Sequence, residues 1–205
     1  MDGSFQELKC LYTNLQSLHS KRKEIELYLQ ENKVDLMFFT ECWIVEDHHV
    51  SEYSFDGFQT VVCKKNRGGS CIYIRDHISY YEVDPPAKTN DSCWIVTSTK
   101  NDVKRLYGCV YRSPNSSQVN NENLLSNIIW AENNFNEVVI LGDFNLPSIN
   151  WNTFLSHELY GDRFLDVLNE VGLNQLISEP TRYRFNQNPS LLDQVLTNES
   201  DIECF

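Results

Sequence analysis

The chain has 205 residues, of which 41% are hydrophobic, 12% aromatic and 22% charged, and its formal net charge at pH 7 is -12. This composition is typical of a folded globular protein and excludes a disordered chain. The acidic balance excludes a protein that coats nucleic acid non-specifically, because such binding needs a broad basic surface, although it permits an enzyme that meets DNA at one local cleft.

The start of the chain, "MDGSFQELKCLYTNL", is polar and broken, unlike a signal peptide, and no apolar run approaches the length of a membrane span. We therefore expect an intracellular protein with no membrane partner. The seven cysteines form no Cys-x-x-Cys pair and mostly lie in apolar runs such as "SCIYI" and "YGCVY". They are interpreted as reduced core residues, not as zinc ligands or a disulfide framework.

The first half of the chain alternates strand-like runs with one helical segment. "LKCLYTN" predicts a strand, "SKRKEIELYLQEN" a helix with Ser20 as a candidate cap, and "VDLMFFTE" a second, buried strand. "GFQTVVCKKNRGGSCIYIRDHI" then predicts two strands joined by a basic turn at residues 64–69, in which Lys64, Lys65 and Arg67 are either solvated or near phosphates.

The second half continues with strands at "CWIVTST" and "RLYGCVYR" and a helix marked by Leu124, Leu125, Ile128 and Ile129. A buried strand follows at residues 138–141, then a helix over residues 162–171 closed by Gly172, and late strands at "RYRF" and "LLDQVLTN". Many strands with few helices predict an α+β fold of two packed sheets with helices outside. With no linker or repeat, residues 1–205 are predicted to form a single domain.

Polar side chains recur where four of these apolar strands end. If the strands run in similar directions, their polar ends converge on one edge of the molecule. The endings are Thr13-Asn14, Thr40-Glu41, Tyr111-Arg112 and Gly142-Asp143-Phe144-Asn145.

Taken alone, "LGDFN" has two interpretations. Gly142, Asp143 and Asn145 are common in tight turns, where Asx side chains bond to their own backbone. Carboxylate and carboxamide oxygens at the rim of a sheet also suit a hard cation and a phosphate.

Seven motifs occur together in an order that resembles the endonuclease domain of jockey-like and chicken-repeat-like non-long-terminal-repeat retrotransposons, within the endonuclease/exonuclease/phosphatase superfamily. The motifs are "YTNLQSL", "FFTECW", "RGGSCIYIRD", "VYRSPNSS", "LGDFNLPSINW", "EPTR" and "SLLDQVLTN". The resemblance implies a deoxyribonuclease-I-like, four-layer α/β-sandwich. It also implies a phosphodiesterase that uses Mg²⁺ or Mn²⁺ and acts on double-stranded DNA, beside a reverse transcriptase domain of a parent polyprotein. We expect such a protein in the nucleus if it is active and in the cytoplasm otherwise.

The resemblance also implies roles for individual residues, each of which has a structural alternative. Glu41 falls on the metal-binding glutamate, with Asn14 in the same pocket, although each alone fits a surface or turn residue. Asp143 falls on the residue that orients or activates the attacking water, and Asn145 on the one that holds the scissile phosphate. Tyr111 falls on a phosphate-side tyrosine and, taken alone, fits a half-buried strand aromatic.

Four further residues complete the predicted site. Asp193 falls on an aspartate that supports a histidine near the C-terminus of the family domain. Arg112, Thr181 and Arg182 are predicted to contact DNA, with a loop or strand-edge role as the alternative for the last two.

One departure from the family pattern concerns catalysis. The family's Ser-Asp-His segment has no counterpart here, since Ser200-Asp201 is followed by Ile202, and we therefore expect a truncated domain that lacks its C-terminal strand. No histidine lies in a motif that would replace the missing one. The five histidines are His19, His48, His49, His77 and His157.

Three functions are consistent with these observations. The first is a metal-dependent DNA endonuclease that nicks its target for retrotransposition. The second is a catalytically silent retrotransposon-derived fragment or binding module, favoured by the missing segment, because loss of a positioned acid or base lowers rates by about 10²- to 10⁴-fold. The third is another phosphoesterase of the same superfamily.

Overall fold

A computed structural model describes residues 8–45, 50–89, 91–98, 103–183, 185, 186 and 188–204 of the chain. The helices are α1 (Leu18–Glu31), α2 (Gln118–Asn134) and α3 (Leu159–Val171). The strands of the first half are β1 (Cys10–Asn14), β2 (Leu36–Thr40), β3 (Phe58–Val62), β4 (Ser70–Arg75), β5 (Tyr80–Glu82), β6 (Ser92–Ser98) and β7 (Lys104–Tyr111). Those of the second half are β8 (Glu137–Asp143), β9 (Ile149–Asn150), β10 (Leu155–Ser156), β11 (Asn174–Gln175) and β12 (Asp193–Thr197).

The strands form two mixed sheets and one short hairpin. The first sheet has the order β1-β2-β4-β3, with β1 and β2 as its parallel pair and the other neighbours antiparallel. The second sheet has the order β11-β12-β8-β7-β6-β5, with β7 and β8 as its parallel pair. The hairpin consists of β9 and β10. Each sheet therefore contains one pair of parallel strands whose carboxyl ends lie side by side.

Alternating side chains along the buried strands produce four layers. On β8, Val138 and Ile140 pack against α2 and α3, whereas Val139 and Leu141 pack between the two sheets. On β2, Leu36 and Phe38 join the layer between the sheets, and Met37 and Phe39 pack with α1 on the outer face. Because successive strand residues point to opposite faces, these strands are apolar on both sides. The predicted α/β-sandwich is thus confirmed.

The helix boundaries differ slightly from those predicted. The α1 cap is Ser17, whose Oγ accepts a hydrogen bond from the Ser20 N–H, so the assignment of Ser20 as the cap is wrong. Ser20 lies in the first turn and donates its own hydroxyl to the Ser17 carbonyl. The α3 helix begins three residues before residue 162 and ends, as predicted, at Gly172 in the left-handed conformation.

The shortest strands do not follow from the sequence pattern. The strand predicted at "RYRF" is not found among the described residues of that segment. They form a single β-bridge, between Arg182 and Ser190, and Arg184 lies outside the described residues. The two- and three-residue strands β5, β9, β10 and β11 are not predicted. All seven cysteines are free thiols. The predicted core position is confirmed for Cys42, Cys71, Cys93 and Cys109 and is wrong for the exposed Cys10 and Cys204. In the part of the chain that the structure describes, no helix is long and apolar enough to cross a membrane.

Candidate active site

The polar strand ends meet at one edge of the sandwich, as predicted from the pattern of strand endings. Asn14 and Thr40 end the parallel pair β1 and β2, and Tyr111 and Asp143 end the parallel pair β7 and β8. The antiparallel strand β12 begins at this same edge, with Asp193 paired directly with Asp143. The sheet order and strand directions therefore bring together residues that are far apart in the sequence.

Asn14 connects the edges of the two sheets. Its Nδ2 lies 3.0 Å from Glu41 Oε1 and 2.6 Å from Asp143 Oδ2, and donates to both carboxylates. Its Oδ1 is buried and has no hydrogen-bond partner. Buried acceptors without a partner are uncommon and call for an explanation, such as a bound ion or water.

Glu41 occupies a backbone conformation that is unusual for a residue with a side chain, with a φ of 51°. The Glu41 carbonyl accepts the Ser17 N–H at 2.9 Å. The next two N–H groups, those of Cys42 and Trp43, donate to Gly69 and Gly68 at 3.5 and 3.2 Å. Such strained positions persist only when the surroundings hold them, and they cluster at functional sites.

Asp143 is the most buried carboxylate of the group, with 4% of its surface exposed. Its pKa is raised to about 7. Burial is the largest cause and the negative charges of Asp193 and Glu41 also raise the pKa, while the Asn145 N–H and the Asn14 amide lower it. The Asn145 N–H donates to Asp143 Oδ1 at 3.0 Å. A carboxylate with a pKa near neutrality is suited to accept a proton during a reaction.

This raised pKa predicts a pH-dependent loss of stability in the metal-free protein. Because the folded-state pKa lies above the ordinary value of 3.8, the stabilising contribution of Asp143 is fully present below about pH 3.8 and is lost as the pH rises through about 7. Between pH 5 and pH 8, the free energy of unfolding of the wild type in EDTA should fall by about 2 kcal/mol relative to Asp143→Asn. Urea denaturation at several pH values measures this difference.

The matched control is Asp166→Asn, on the exposed face of α3. This variant controls for the loss of one negative charge from the protein surface, away from the site. If the difference in unfolding free energy between the wild type and Asp143→Asn were the same at pH 5 and pH 8, the assignment of the raised pKa to Asp143 would be contradicted.

Arg112 holds the loop that carries Asn145. The Arg112 Nη1 donates to the Asn145 carbonyl at 2.9 Å, and Asn145 Nδ2 donates back to the Arg112 carbonyl at 2.8 Å. The Arg112 Nε donates to Asn121, and the guanidinium lies over the Tyr160 ring, 4.7 Å from its centroid. These contacts hold the guanidinium against the loop after β8 and the Tyr160 ring, and DNA contact by Arg112 stays a prediction.

Asp193 is bound by a tyrosine in this structure. The Tyr12 hydroxyl donates to Asp193 Oδ1 at 2.5 Å and lies 3.0 Å from Thr40 Oγ1. Burial and the Asp193 charge raise the pKa of Tyr12 well above its usual value, so that Tyr12 remains a donor. In the family, this aspartate is expected to support a histidine. Among the described residues, the side chain that donates to the Asp193 carboxylate is Tyr12 and not a histidine. His48 and His49 lie outside the described residues.

The two predicted DNA contacts of the "EPTR" motif lie beside Asp193. The Thr181 Oγ1 accepts the backbone N–H groups of Leu192 and Asp193 at 3.2 and 3.1 Å, and so fixes the start of β12. Arg182 is half-buried and pairs with Ser190 through its backbone. The structure thus gives Thr181 a positioning role, and contact with DNA stays a prediction for both residues.

Tyr111 lines a polar cleft of about 200 Å³ next to Asp143. Burial, with the charges of Glu41, Asp143 and Asp91, raises the pKa of Tyr111, so its hydroxyl is protonated at neutral pH. The side chain can therefore donate a hydrogen bond to an anionic ligand. Among the other residues that line the cleft are Lys65, Asp91, Arg112, Ser113, Asn115 and Asn120.

Sequence reasoning missed two residues of this site. Tyr12 lies two positions before Asn14. Because side chains alternate between the two faces of a strand, the spacing alone places Tyr12 on the same side as Asn14, and the sequence could have identified it. Asp91 bonds to the residue 64–69 loop and to Tyr111, contacts that no local pattern reveals.

Comparisons with known proteins agree with this fold. Residues 106–204 match the model of a family described as endonuclease-reverse transcriptase. The structure is similar to the endonuclease domain of TRAS1, a telomere-specific non-LTR retrotransposon, with 20% identity, coverage of 92% of this chain and 83% of that one, and a TM-score of 0.66. The chain has the endonuclease/exonuclease/phosphatase fold. The resemblance predicted from the motifs is confirmed.

Other solved structures with the endonuclease/exonuclease/phosphatase fold are equally similar. A 3'-5' exonuclease, NExo, from Neisseria meningitidis is 16% identical, with coverage of 93% and 86% and a TM-score of 0.68. An AP endonuclease from Archaeoglobus fulgidus is 17% identical, with coverage of 94% and 87% and a TM-score of 0.66. No curated protein sequence matches the chain. Residues 106–204 therefore resemble a family that is described as an enzyme, and the rest of the chain shares the fold of known nucleases.

The donor set at the site suits a hard divalent ion. Among the described residues, no three His, Cys, Asp or Glu side chains form a metal-binding group on their own. The available donors are the unpartnered Asn14 Oδ1 and the carboxylate oxygens of Glu41 and Asp143. Mg²⁺ is typically held by one or two carboxylates and keeps several waters, so a small oxygen set fits it.

Proposed function

We propose that the chain is a divalent-metal-dependent endonuclease that hydrolyses a phosphodiester bond in double-stranded DNA. The observation that carries this proposal is the position of Asn14, between the carboxylates of Glu41 and Asp143, with its own buried oxygen unpartnered. The family match over residues 106–204 and the similarity to the TRAS1 endonuclease domain support a DNA substrate.

Glu41 and Asn14 would hold the Mg²⁺ or Mn²⁺ ion. When bound, the ion supplies Lewis-acid stabilisation of the charge that develops on the phosphate oxygens. The strained backbone of Glu41 and its three flanking hydrogen bonds fix this carboxylate in place before substrate arrives.

Asp143 acts as the general base. Its carboxylate takes a proton from the water that attacks phosphorus, while the bond from phosphorus to O3′ breaks and leaves a 3′ hydroxyl and a 5′ phosphate. The leaving oxygen is protonated from solvent. Asp193, paired with Asp143 and bonded to Tyr12, raises the pKa of Asp143 and so makes it a better base near pH 7.

Asn145 and Tyr111 orient the scissile phosphate. One N–H of Asn145 Nδ2 binds the Arg112 carbonyl, and the amide nitrogen carries a second donor for a phosphate oxygen. The Tyr111 hydroxyl supplies another. Preorganised donors of this kind stabilise the charge that develops in the transition state of phosphoryl transfer.

The chain would act beside a reverse transcriptase. The matching family is described as endonuclease-reverse transcriptase. A nick that leaves a 3′ hydroxyl provides a primer end for such a partner, which makes retrotransposition the biological setting we propose.

The test compares three substrates with Mg²⁺, Mn²⁺ or EDTA: supercoiled plasmid, an abasic duplex and a small phosphomonoester. The proposal predicts conversion of supercoiled plasmid to open circles with either ion and none with EDTA. Cleavage of the abasic duplex alone would indicate a repair-type enzyme, and phosphomonoester hydrolysis without nicking would indicate another phosphoesterase. Binding of plasmid without hydrolysis of any substrate would indicate a silent binding module.

A further inference from the structure

We infer that Asp91 is a positioning residue for Tyr111 and Glu41, an inference that rests on the proposed nuclease function. Asp91 lies directly before β6, next to the carboxyl end of β7, and only 8% of its surface is exposed. Its backbone carbonyl accepts the Tyr111 N–H at 2.9 Å. Burial of a carboxylate costs free energy unless the carboxylate is paired. The groups that pair with Asp91 are therefore the ones whose positions it fixes.

The Asp91 carboxylate binds both ends of the loop between β3 and β4. Its Oδ1 accepts the Gly69 N–H at 2.9 Å, and its Oδ2 accepts a hydrogen bond from Lys65 Nζ at 2.5 Å. The loop is therefore closed across its base by one side chain of the opposite sheet. This pair forms part of the wall of the cleft beside Tyr111.

The same loop packs against the tyrosine ring. A Cβ on Gly68, which has a φ of 90°, would lie 2.9 Å from Tyr111 Cε1 and 2.9 Å from Asp91 Oδ1. Gly68 thus brings backbone into direct contact with the ring, and a shift of the loop would free the ring to move.

The loop also supports the segment after Glu41. The Gly68 carbonyl accepts the Trp43 N–H, and the Ile44 carbonyl accepts the Lys65 N–H at 2.8 Å. Asp91 therefore acts on both sides of the site. Its backbone carbonyl binds the Tyr111 N–H, and its carboxylate acts through the loop on the tyrosine ring and on the strained glutamate.

The test uses Asp91→Ala, which loses both contacts, and Asp91→Asn, which keeps an acceptor for the Gly69 N–H but loses the charge that pairs with Lys65. The matched controls are Asp35→Ala and Asp35→Asn. Asp35 is a buried aspartate, 1% exposed, that accepts the backbone N–H of Lys9 at 2.9 Å and precedes β2 at the opposite end of the sheet.

In plasmid nicking, kcat should fall about 10-fold for Asp91→Ala and less for Asp91→Asn, as expected for residues coupled within one network. KM for plasmid should not rise in either variant, because each removes a negative charge from the DNA-facing cleft. If loss of a buried aspartate only destabilised the fold, the fraction of active protein would fall to a similar extent in the Asp91 and the Asp35 variants, which would contradict the positioning role.

A second readout requires no turnover. In protein labelled with 3-fluorotyrosine, the ¹⁹F resonance of Tyr111, assigned by its loss in Tyr111→Phe, should shift or broaden in Asp91→Ala and stay in place in Asp35→Ala. An unmoved resonance with unchanged kcat would overturn the inference. If the wild type fails to nick, the proposed function fails, while a moved resonance would still support the positioning role.

Discussion

Asp143→Asn is expected to lower the rate of plasmid nicking by about 10³-fold, within the range for loss of a general base. The amide has the same shape as the carboxylate but cannot take a proton from the attacking water. Because Asp143 accepts hydrogen bonds from both Asn14 and Asn145, the amide oxygen can keep one of these contacts and the fold should persist. Single-turnover nicking at saturating protein measures the chemical step directly.

The control is Asp166→Asn, which removes an exposed aspartate on α3 and should nick at the wild-type rate. DNA binding by Asp143→Asn in EDTA should equal or exceed that of the wild type, because the variant has one negative charge fewer at the site. Nicking by Asp143→Asn within tenfold of the wild type would show that another group supplies the base.

Gly142→Ala is expected to reduce the free energy of unfolding by more than about 3 kcal/mol, a large effect for one methyl group. Gly142 pairs with Val110 in the parallel neighbours β7 and β8, one position before Asp143. With a φ of 151°, it brings β8 so close to β7 that a Cβ would lie 1.8 Å from the Val110 carbonyl oxygen. Urea denaturation of the two proteins measures the difference.

Gly172→Ala provides the comparison for this prediction. Gly172 ends α3 with a φ of 75°, and a Cβ there would meet no atom within 4 Å. Its substitution involves backbone strain alone and should cost about 1 kcal/mol. If Gly142→Ala and Gly172→Ala lost the same amount of unfolding free energy, the close contact with Val110 would not be the reason that position 142 requires glycine.

The fold and the location of the site could be predicted because they depend on local patterns. The apolar runs of β2 and β8 identify strands buried on both faces, and the polar residues that follow them identify the edge where the site forms. Asn14, Glu41 and Asp143 were all predicted as site residues, and the structure places them in mutual contact through the Asn14 amide. The order of the motifs added the resemblance to the superfamily, which periodicity alone does not provide.

The remaining features depend on contacts between distant residues. Tyr12 and Asp193 are separated by 181 positions, so no local pattern pairs them. Arg112 follows a strand end like a ligand-binding residue, but its direction is set by the loop after β8 and by the Tyr160 ring. The strands β5, β9, β10 and β11 are only two or three residues long and are defined by pairing partners, not by their own composition.

Mn²⁺ binding, followed by electron paramagnetic resonance, tests most directly whether the two sheet edges form one divalent-metal site. The wild type should bind one ion, and Glu41→Gln should lose that binding, because the amide removes the carboxylate charge beside Asn14. Glu24→Gln, an exposed partner of Lys21 on α1, should bind like the wild type. Equal binding by Glu41→Gln and the wild type would contradict the proposed metal site.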